Sequence, residues 1–114
     1  MNKRQVSQRQ EERVAEILGG RRVPNSGATP LRKGDVRDRG RILCECKTTE
    51  RPQKSQKIDK AWLDKVEGES LSMGIDWACL AIDFGDVRKQ YFVVPESMMR
   101  YLLSCVEATE GNED

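Results

Sequence analysis

Histidine is absent from this 114-residue chain. Histidine is the usual general base near neutral pH, a member of the serine-type catalytic triad and the most common zinc ligand, so its absence excludes the most familiar form of each. Carboxylates and lysines remain as groups that can move protons, and carboxylates can also hold a cation. Any catalysis by this chain must therefore depend on carboxylates, lysine and a hard metal ion.

Long apolar runs are also absent. No stretch approaches the roughly 20 apolar residues that a membrane helix needs. The basic residues near the N-terminus are not followed by the apolar segment of a secretory signal. Apolar residues make up only 37% of the chain, and charged residues make up 34%. We therefore expect one cytoplasmic domain with a modest core and no membrane partner.

No pair of cysteines has the C-x-x-C spacing of a zinc clip or a redox site. The four cysteines are Cys44, Cys46, Cys79 and Cys105, and each lies within an apolar pattern. We therefore expect them to be buried free thiols without a metal-binding or redox role.

The net charge of +1 conceals two halves of opposite sign. Residues 1–60 carry 16 Lys or Arg against 8 Asp or Glu, a net of +8, whereas residues 61–114 carry 4 against 11, a net of −7. A basic surface attracts a polyanion because each neutralised phosphate releases condensed counterions. The asymmetry suggests nucleic acid as a partner, and an unevenly charged solvated surface is the alternative.

Hydrophobic periodicity and turn residues divide the chain into eight elements. They are a helix at 5–18, a strand at 21–23, hairpin strands at 35–37 and 42–47, a helix at 58–73, strands at 77–82 and 90–94, and a helix after Pro95. The segment 24–30 contains two prolines and a glycine and is predicted to be a loop. The order α-β-β-β-α-β-β-α predicts an α/β sandwich with a central mixed sheet flanked by helices. We expect a single domain at 1–106 and a flexible acidic tail at 107–114.

Three charged residues of the predicted hairpin point to chemistry: Asp35, Glu45 and Lys47. Strand side chains alternate between faces, so Glu45 and Lys47 point the same way while the flanking cysteines point towards the core. Asp35 lies directly across from Glu45 if the hairpin loop has three or five residues. Three is a length that hairpins use readily, and it corresponds to residues 39–41. The pattern therefore gathers two carboxylates and a lysine on one patch.

Such a patch suits the hydrolysis of a phosphodiester bond. Two carboxylates can hold Mg²⁺, a hard cation that prefers oxygen ligands and keeps several waters, and we expect Mn²⁺ to substitute. The metal polarises a phosphodiester oxygen and acidifies a bound water. Lys47 can orient that water or offset charge on the phosphate. A plain ion pair on a strand edge is the alternative, and no small-molecule cofactor is expected.

Short motifs give these residues a family context. The tripeptide Gly34-Asp35-Val36, followed by Glu45-Cys46-Lys47, resembles the PD-(D/E)XK nuclease superfamily, most closely the archaeal-type Holliday junction resolvases and related small phage nucleases. Gln10-Glu11-Glu12-Arg13 resembles the Q-x-E-R of the first resolvase helix, and Asn25-Ser26-Gly27-Ala28 resembles the R-S-G-S-type segment ahead of the aspartate. The likeness spans residues 8–104. It implies a restriction-endonuclease-like sandwich, a homodimer with two active sites, and a prokaryotic or phage-infected host cell.

The resemblance also implies roles for residues outside the hairpin. It makes Glu12 the third metal ligand beside Asp35 and Glu45, with Glu11 the weaker choice, and it places Ser26 near the scissile phosphate. A solvated helix carboxylate is the alternative for Glu12, and simple turn chemistry is the alternative for Ser26.

Several basic residues are expected to contact the DNA backbone. Arg13 follows from the first-helix motif. Pro24 stands where the resolvases often carry arginine, so Arg22 is expected to supply that contact. Further contacts are expected from Lys33, Lys54 and Lys57, for which an ordinary solvated surface is the alternative.

The expected function is a metal-dependent, structure-selective DNA endonuclease. The first choice is a Holliday junction resolvase that binds branched duplex DNA and serves recombination or repair. A nuclease acting on flapped, nicked or single-stranded DNA is an alternative, because the motif specifies the chemistry and not the DNA shape. A non-catalytic DNA-binding module of the same fold is an alternative of another class, against which the intact Asp35, Glu45 and Lys47 argue.

Overall fold

The computed structural model describes residues 2–22, 36–38 and 41–111, which form three helices and five strands. The helices are α1 (Lys3–Leu18), α2 (Lys60–Met73) and α3 (Glu96–Gly111). The strands are β1 (Arg21–Arg22), β2 (Val36–Asp38), β3 (Ile42–Lys47), β4 (Trp77–Ile82) and β5 (Tyr91–Val93). The order of these elements along the chain confirms the predicted α-β-β-β-α-β-β-α. The predicted loop at 24–30 lies outside the described residues.

Capping residues explain where α1 begins and where α2 begins and ends. The Asn2 side chain accepts a hydrogen bond from the Gln5 backbone N–H at 2.9 Å, and the Gln5 side chain accepts one from the Asn2 N–H at 3.0 Å. Asp59 caps α2 by accepting from the Ala61 N–H at 2.9 Å. The α2 helix ends at Gly74, whose φ of 69° lies in the left-handed region that glycine adopts without strain. None of the described helices has the length and apolar character of a membrane span.

The described strands form one mixed sheet in the order β1-β2-β3-β4-β5. Neighbouring strands are antiparallel except β3 and β4, which run parallel. A parallel pair needs a crossover connection, and α2 supplies it here. The interior strand β4 is buried along most of its length, as its continuous apolar run predicts.

Helices cover both faces of this sheet. On one face, Val14 of α1 and Met98 of α3 pack with Cys44 of β3. On the other face, Val66 of α2 packs with Leu43 of β3. Leu43 and Cys44 are adjacent in β3, so their opposite directions follow from strand alternation. The result is an α/β fold with a helical layer on each side of a mixed sheet.

The last residues of α3 are those that the sequence analysis assigns to the acidic tail. The helix continues to Gly111, so residues 107–111 are helical. All side chains from 101 to 110 are exposed. The turn-to-turn hydrogen bonds of the helix therefore continue beyond the packed core.

The cysteines only partly match their prediction. All four are free thiols, as expected, but only Cys44 and Cys79 are buried, while Cys46 is half-buried and Cys105 is exposed on α3. Hydrogen bonding with the thiols of Cys46 and Cys79, together with burial, raises the pKa of Cys44 well above its usual value. Cys44 is therefore a neutral core residue at physiological pH.

Candidate active site on strand β3

Glu45 is a buried acidic residue within β3, only 5% exposed. Because Cys44 and Cys46 face the α1 and α3 side of the sheet, Glu45 faces α2. Burying a carboxylate is costly unless an opposite charge compensates it. Two lysines supply that charge at the same oxygen, Glu45 Oε1: Lys47 Nζ lies at 3.5 Å and Lys65 Nζ at 3.6 Å.

Lys47 is held at the end of β3 by an aromatic ring. Its ammonium lies 4.8 Å from the ring centroid of Trp62 on α2, within the range of cation–π attraction. The Lys47 side chain is 34% exposed, so solvent still reaches it. The prediction that Glu45 and Lys47 share a face of the sheet is confirmed, and Lys47 is accessible to an anionic ligand.

Two residues of α2 join this site although the sequence analysis does not single them out. Lys65 Nζ lies 3.6 Å from Glu45 Oε1 and 3.7 Å from Oε1 of Glu69, one helical turn further on. The Glu69 side chain is only 12% exposed, and its Oε2 accepts no hydrogen bond from the described residues. The spacing of Trp62, Lys65 and Glu69 by three and four is the signal that places them on one helix face. We call Glu45, Lys47, Trp62, Lys65 and Glu69 the β3–α2 cluster.

Asp35, the second predicted carboxylate, lies outside the described residues. The ladder next to it is described, and in it Val36 pairs with Cys44. This is the register predicted for a three-residue loop at 39–41, in which Asp35 and Glu45 are expected to form the next pair. A slip of one residue in this pairing would place every side chain of the strand on the opposite face of the sheet. The described register therefore tests the predicted hairpin closely.

Glu12 and Arg13 lie apart from the β3–α2 cluster. Gln10 and Val14 are the buried residues of α1, and Glu12, midway between them in sequence, lies on the opposite, exposed side of the helix. Glu12 and Arg13 instead line a groove between α1 and residues 85–88. The helices α1 and α2 cover opposite faces of the sheet. The role of Glu12 as a metal ligand stays a prediction.

A buried polar network ties α1 to the end of β3. Gln10 is 1% exposed, and its Nε2 donates to the backbone carbonyl oxygens of Lys47 at 2.8 Å and Ala81 at 3.2 Å. Asp83, also buried, accepts a hydrogen bond at 2.7 Å from Oγ1 of Thr48, the residue after Lys47. These bonds satisfy polar groups that are costly to bury unpaired, and they fix the backbone that carries Lys47.

The residues predicted to contact DNA lie in different parts of the chain, and not all of them are described by the structure. Lys54 and Lys57 are exposed in the segment 48–59 that leads from β3 to α2, close in sequence to the β3–α2 cluster. Arg22 lies in β1, for which the backbone is described. Lys33 lies outside the described residues, as does Ser26, which is predicted to lie near the scissile phosphate.

Glu45 offers the kind of ligand atom that a hard cation prefers. Glu45 offers carboxylate oxygens, while the soft thiols of Cys44 and Cys46 are directed to the other face of the sheet. Within the described ranges no group of three ligating side chains is present, and Glu45 supplies one carboxylate of the predicted pair. Asp35 is the residue expected to supply the other.

No family model, curated protein or solved structure matches this chain. The functional argument therefore depends on the residues and their geometry, and membership of the PD-(D/E)XK superfamily stays a prediction from the short motifs.

Proposed function

We propose that this protein is a metal-dependent DNA endonuclease of restriction-endonuclease-like fold, with Asp35, Glu45 and Lys47 at its active centre. The observation that carries the proposal is a buried glutamate beside a solvent-accessible lysine on one face of β3. Burying a carboxylate in an otherwise apolar strand is costly even when lysines compensate its charge, so a functional reason for its presence is favoured. The described register of the hairpin also agrees with a pairing of Asp35 and Glu45.

Asp35 and Glu45 would hold Mg²⁺ or Mn²⁺. When bound, such an ion polarises the phosphodiester and acidifies a coordinated water. Glu45 presents its oxygens from a strand whose end is fixed by the hydrogen bond from Gln10 to the Lys47 carbonyl. The Lys47 ammonium, held against Trp62, offsets the negative charge that grows on the phosphate as the bond breaks.

The proposed substrate is DNA, with a four-way junction as the first choice and flapped, nicked or single-stranded DNA as the alternative. Lys54 and Lys57 are exposed on the segment that follows Lys47, where they are available to contact phosphates of the DNA. Phosphate contacts position DNA without reading its sequence. That property suits an enzyme selecting DNA by shape, as recombination and repair require.

We also propose that the protein works as a homodimer that associates through α3. Four apolar residues of α3 are 39–53% exposed and follow helical spacing, so that they form one stripe: Met99, Leu102, Leu103 and Val106. Exposed apolar patches of this kind mark interaction surfaces. A second copy is the partner that cleavage of two strands of one junction requires.

The experiment that tests the proposal compares four radiolabelled DNA substrates of matched length: a four-way junction, a flap, a single strand and a linear duplex. We expect cleavage that needs Mg²⁺, stops with EDTA and returns with Mn²⁺, because a hard cation is required. Symmetrical nicks on the junction would select the resolvase, and cutting of the flap or single strand would select the alternative nuclease. If the protein binds these substrates and cleaves none of them, the endonuclease proposal is rejected and the non-catalytic DNA-binding module remains.

A further inference from the structure

Glu45 Oε1 has two ammonium groups beside it. Lys47 Nζ lies at 3.5 Å and Lys65 Nζ at 3.6 Å from this one oxygen. Two like charges so close to one carboxylate oxygen repel each other, and Glu69 Oε1, 3.7 Å from Lys65 Nζ, contributes a second negative charge.

The two lysines are held in different ways. Lys47 is fixed by the backbone of β3 and by the ring of Trp62. Lys65 is on α2, its side chain is 55% exposed, and it has a second partner within reach in Glu69 at 3.7 Å. Glu69 also has acceptor capacity left, because its Oε2 accepts no hydrogen bond from the part of the chain that is described. Of the two ammonium groups, that of Lys65 is therefore the one able to move.

We infer that Lys65 is an exchangeable counter-ion of the Glu45 site, which neutralises Glu45 when no divalent cation is bound and withdraws to Glu69 when one binds. The inference rests on the proposed function, since it assumes that Glu45 takes a divalent cation. It adds two positioning residues, Lys65 and Glu69, that neither the motifs nor the resemblance include.

Charge balance gives the physical reason. A divalent cation at Glu45 brings two positive charges, and the ammonium of Lys65, 3.6 Å from the same oxygen, opposes it directly. Without the cation, loss of Lys65 would leave the buried carboxylate less well compensated, which is destabilising. Lys65 therefore keeps the empty site stable and competes with the cation that fills it.

Substitutions of the two residues should have opposite effects on cation binding. Lys65→Met removes the competing charge while keeping the apolar stem, so the apparent dissociation constant for Mg²⁺ should fall by about tenfold. Glu69→Gln removes the carboxylate to which Lys65 withdraws, so the ammonium stays at Glu45 and the same constant should rise by about three- to tenfold.

The test measures thermal unfolding of the full-length protein without DNA, over a series of MgCl₂ concentrations at constant ionic strength. A ligand that binds the folded state stabilises it by RT ln(1 + [L]/Kd), so the rise of the unfolding midpoint with MgCl₂ concentration gives the apparent dissociation constant of each variant. Lys60 and Asp64 form a matched control pair, because they are spaced by four on the same helix at 2.9 Å and are 83% and 60% exposed. Lys60→Met and Asp64→Asn should leave the Mg²⁺ dependence unchanged.

The outcomes separate the inference from the proposed function. Tighter binding in Lys65→Met and weaker binding in Glu69→Gln support the inference, and should Lys65→Met fail to fold, Glu69→Gln alone decides. A wild-type response that Glu45→Gln abolishes, without opposite shifts in the α2 variants, rejects the inference and leaves the proposed function standing. Unfolding midpoints that do not depend on MgCl₂ in the wild type reject both.

Discussion

Glu45 and Lys47 are two residues apart on β3, a spacing that many strands show by chance. Their surroundings distinguish them from an ordinary surface ion pair. Glu45 is buried, whereas the residues of a surface ion pair are solvated. Lys47 lies between that carboxylate and the face of Trp62. An exposed ion pair contributes little to stability, so a pair that is half buried and tied to a ring is better explained by what it positions.

Trp62 is the residue at which this positioning can be tested. Trp62→Leu removes the aromatic face and should slow DNA cleavage by about two- to fivefold, the loss expected from one partly exposed cation–π contact. Trp62→Phe keeps an aromatic face and should lose less. Single-turnover cleavage rates, with DNA affinity measured in parallel, give the comparison.

The matched control for Trp62 is Tyr91, whose ring lies 5.9 Å from Lys89 Nζ, away from β3. Tyr91→Leu should leave the cleavage rate unchanged. Equal losses in Trp62→Leu and Tyr91→Leu would show that the ring of Trp62 has no particular role in holding Lys47.

Among the elements, α1 and β3 depend on each other through Gln10. Gln10→Ala removes the donor to the carbonyl oxygens of Lys47 and Ala81 and leaves both buried. We expect a loss of about 1 to 3 kcal/mol in the free energy of unfolding, measured by urea denaturation. Gln5→Ala, at the exposed start of α1, should lose less than about 1 kcal/mol. Equal losses at the two positions would remove the argument for a structural link between α1 and the site.

The strands were the most predictable elements, and the reason lies in their patterns. Strand β4 has the predicted bounds of 77–82 because a continuous apolar run can be satisfied only by burial on both faces. Strand β3 has its predicted bounds of 42–47, and its alternation fixes the face shared by Glu45 and Lys47. Side chains along a strand alternate between the two faces of the sheet, so the position of a residue in the strand determines its face. The shared face of Glu45 and Lys47 can therefore be predicted from sequence.

The contribution of α2 could not be predicted in the same way. Lys65 and Glu69 are charged residues on an amphipathic helix, where charge ordinarily indicates the solvated face. Whether such residues reach a neighbouring strand depends on how the helix crosses the sheet, and sequence periodicity does not specify that angle. For Glu12, the burial of Gln10 and Val14 fixes only that it lies on the exposed side of α1. Its role as a metal ligand depends on the motif and stays a prediction.

For the molecule as a whole, the exposed stripe on α3 decides how two copies would meet. Leu103 is 53% exposed within this stripe, and Leu103→Lys places a charge where a dimer would exclude water. We expect the variant to be monomeric at concentrations at which the wild type is dimeric, as measured by light scattering after size exclusion. Leu71→Lys on α2, at a residue 83% exposed, is the control and should keep the wild-type mass. A wild-type monomer would contradict the proposed assembly without affecting the chemistry at β3.

The central claim concerns the carboxylate of Glu45, and its most direct test is the rate of DNA cleavage by Glu45→Gln. The substitution keeps the size of the side chain and removes its charge, so DNA affinity should stay close to that of the wild type. Glu50→Gln changes an exposed carboxylate beyond the end of β3 and serves as the control, with no change expected. The account predicts that Glu45→Gln lowers the Mg²⁺-dependent cleavage rate by about 100-fold or more while DNA remains bound. Cleavage by Glu45→Gln at the wild-type rate would contradict it.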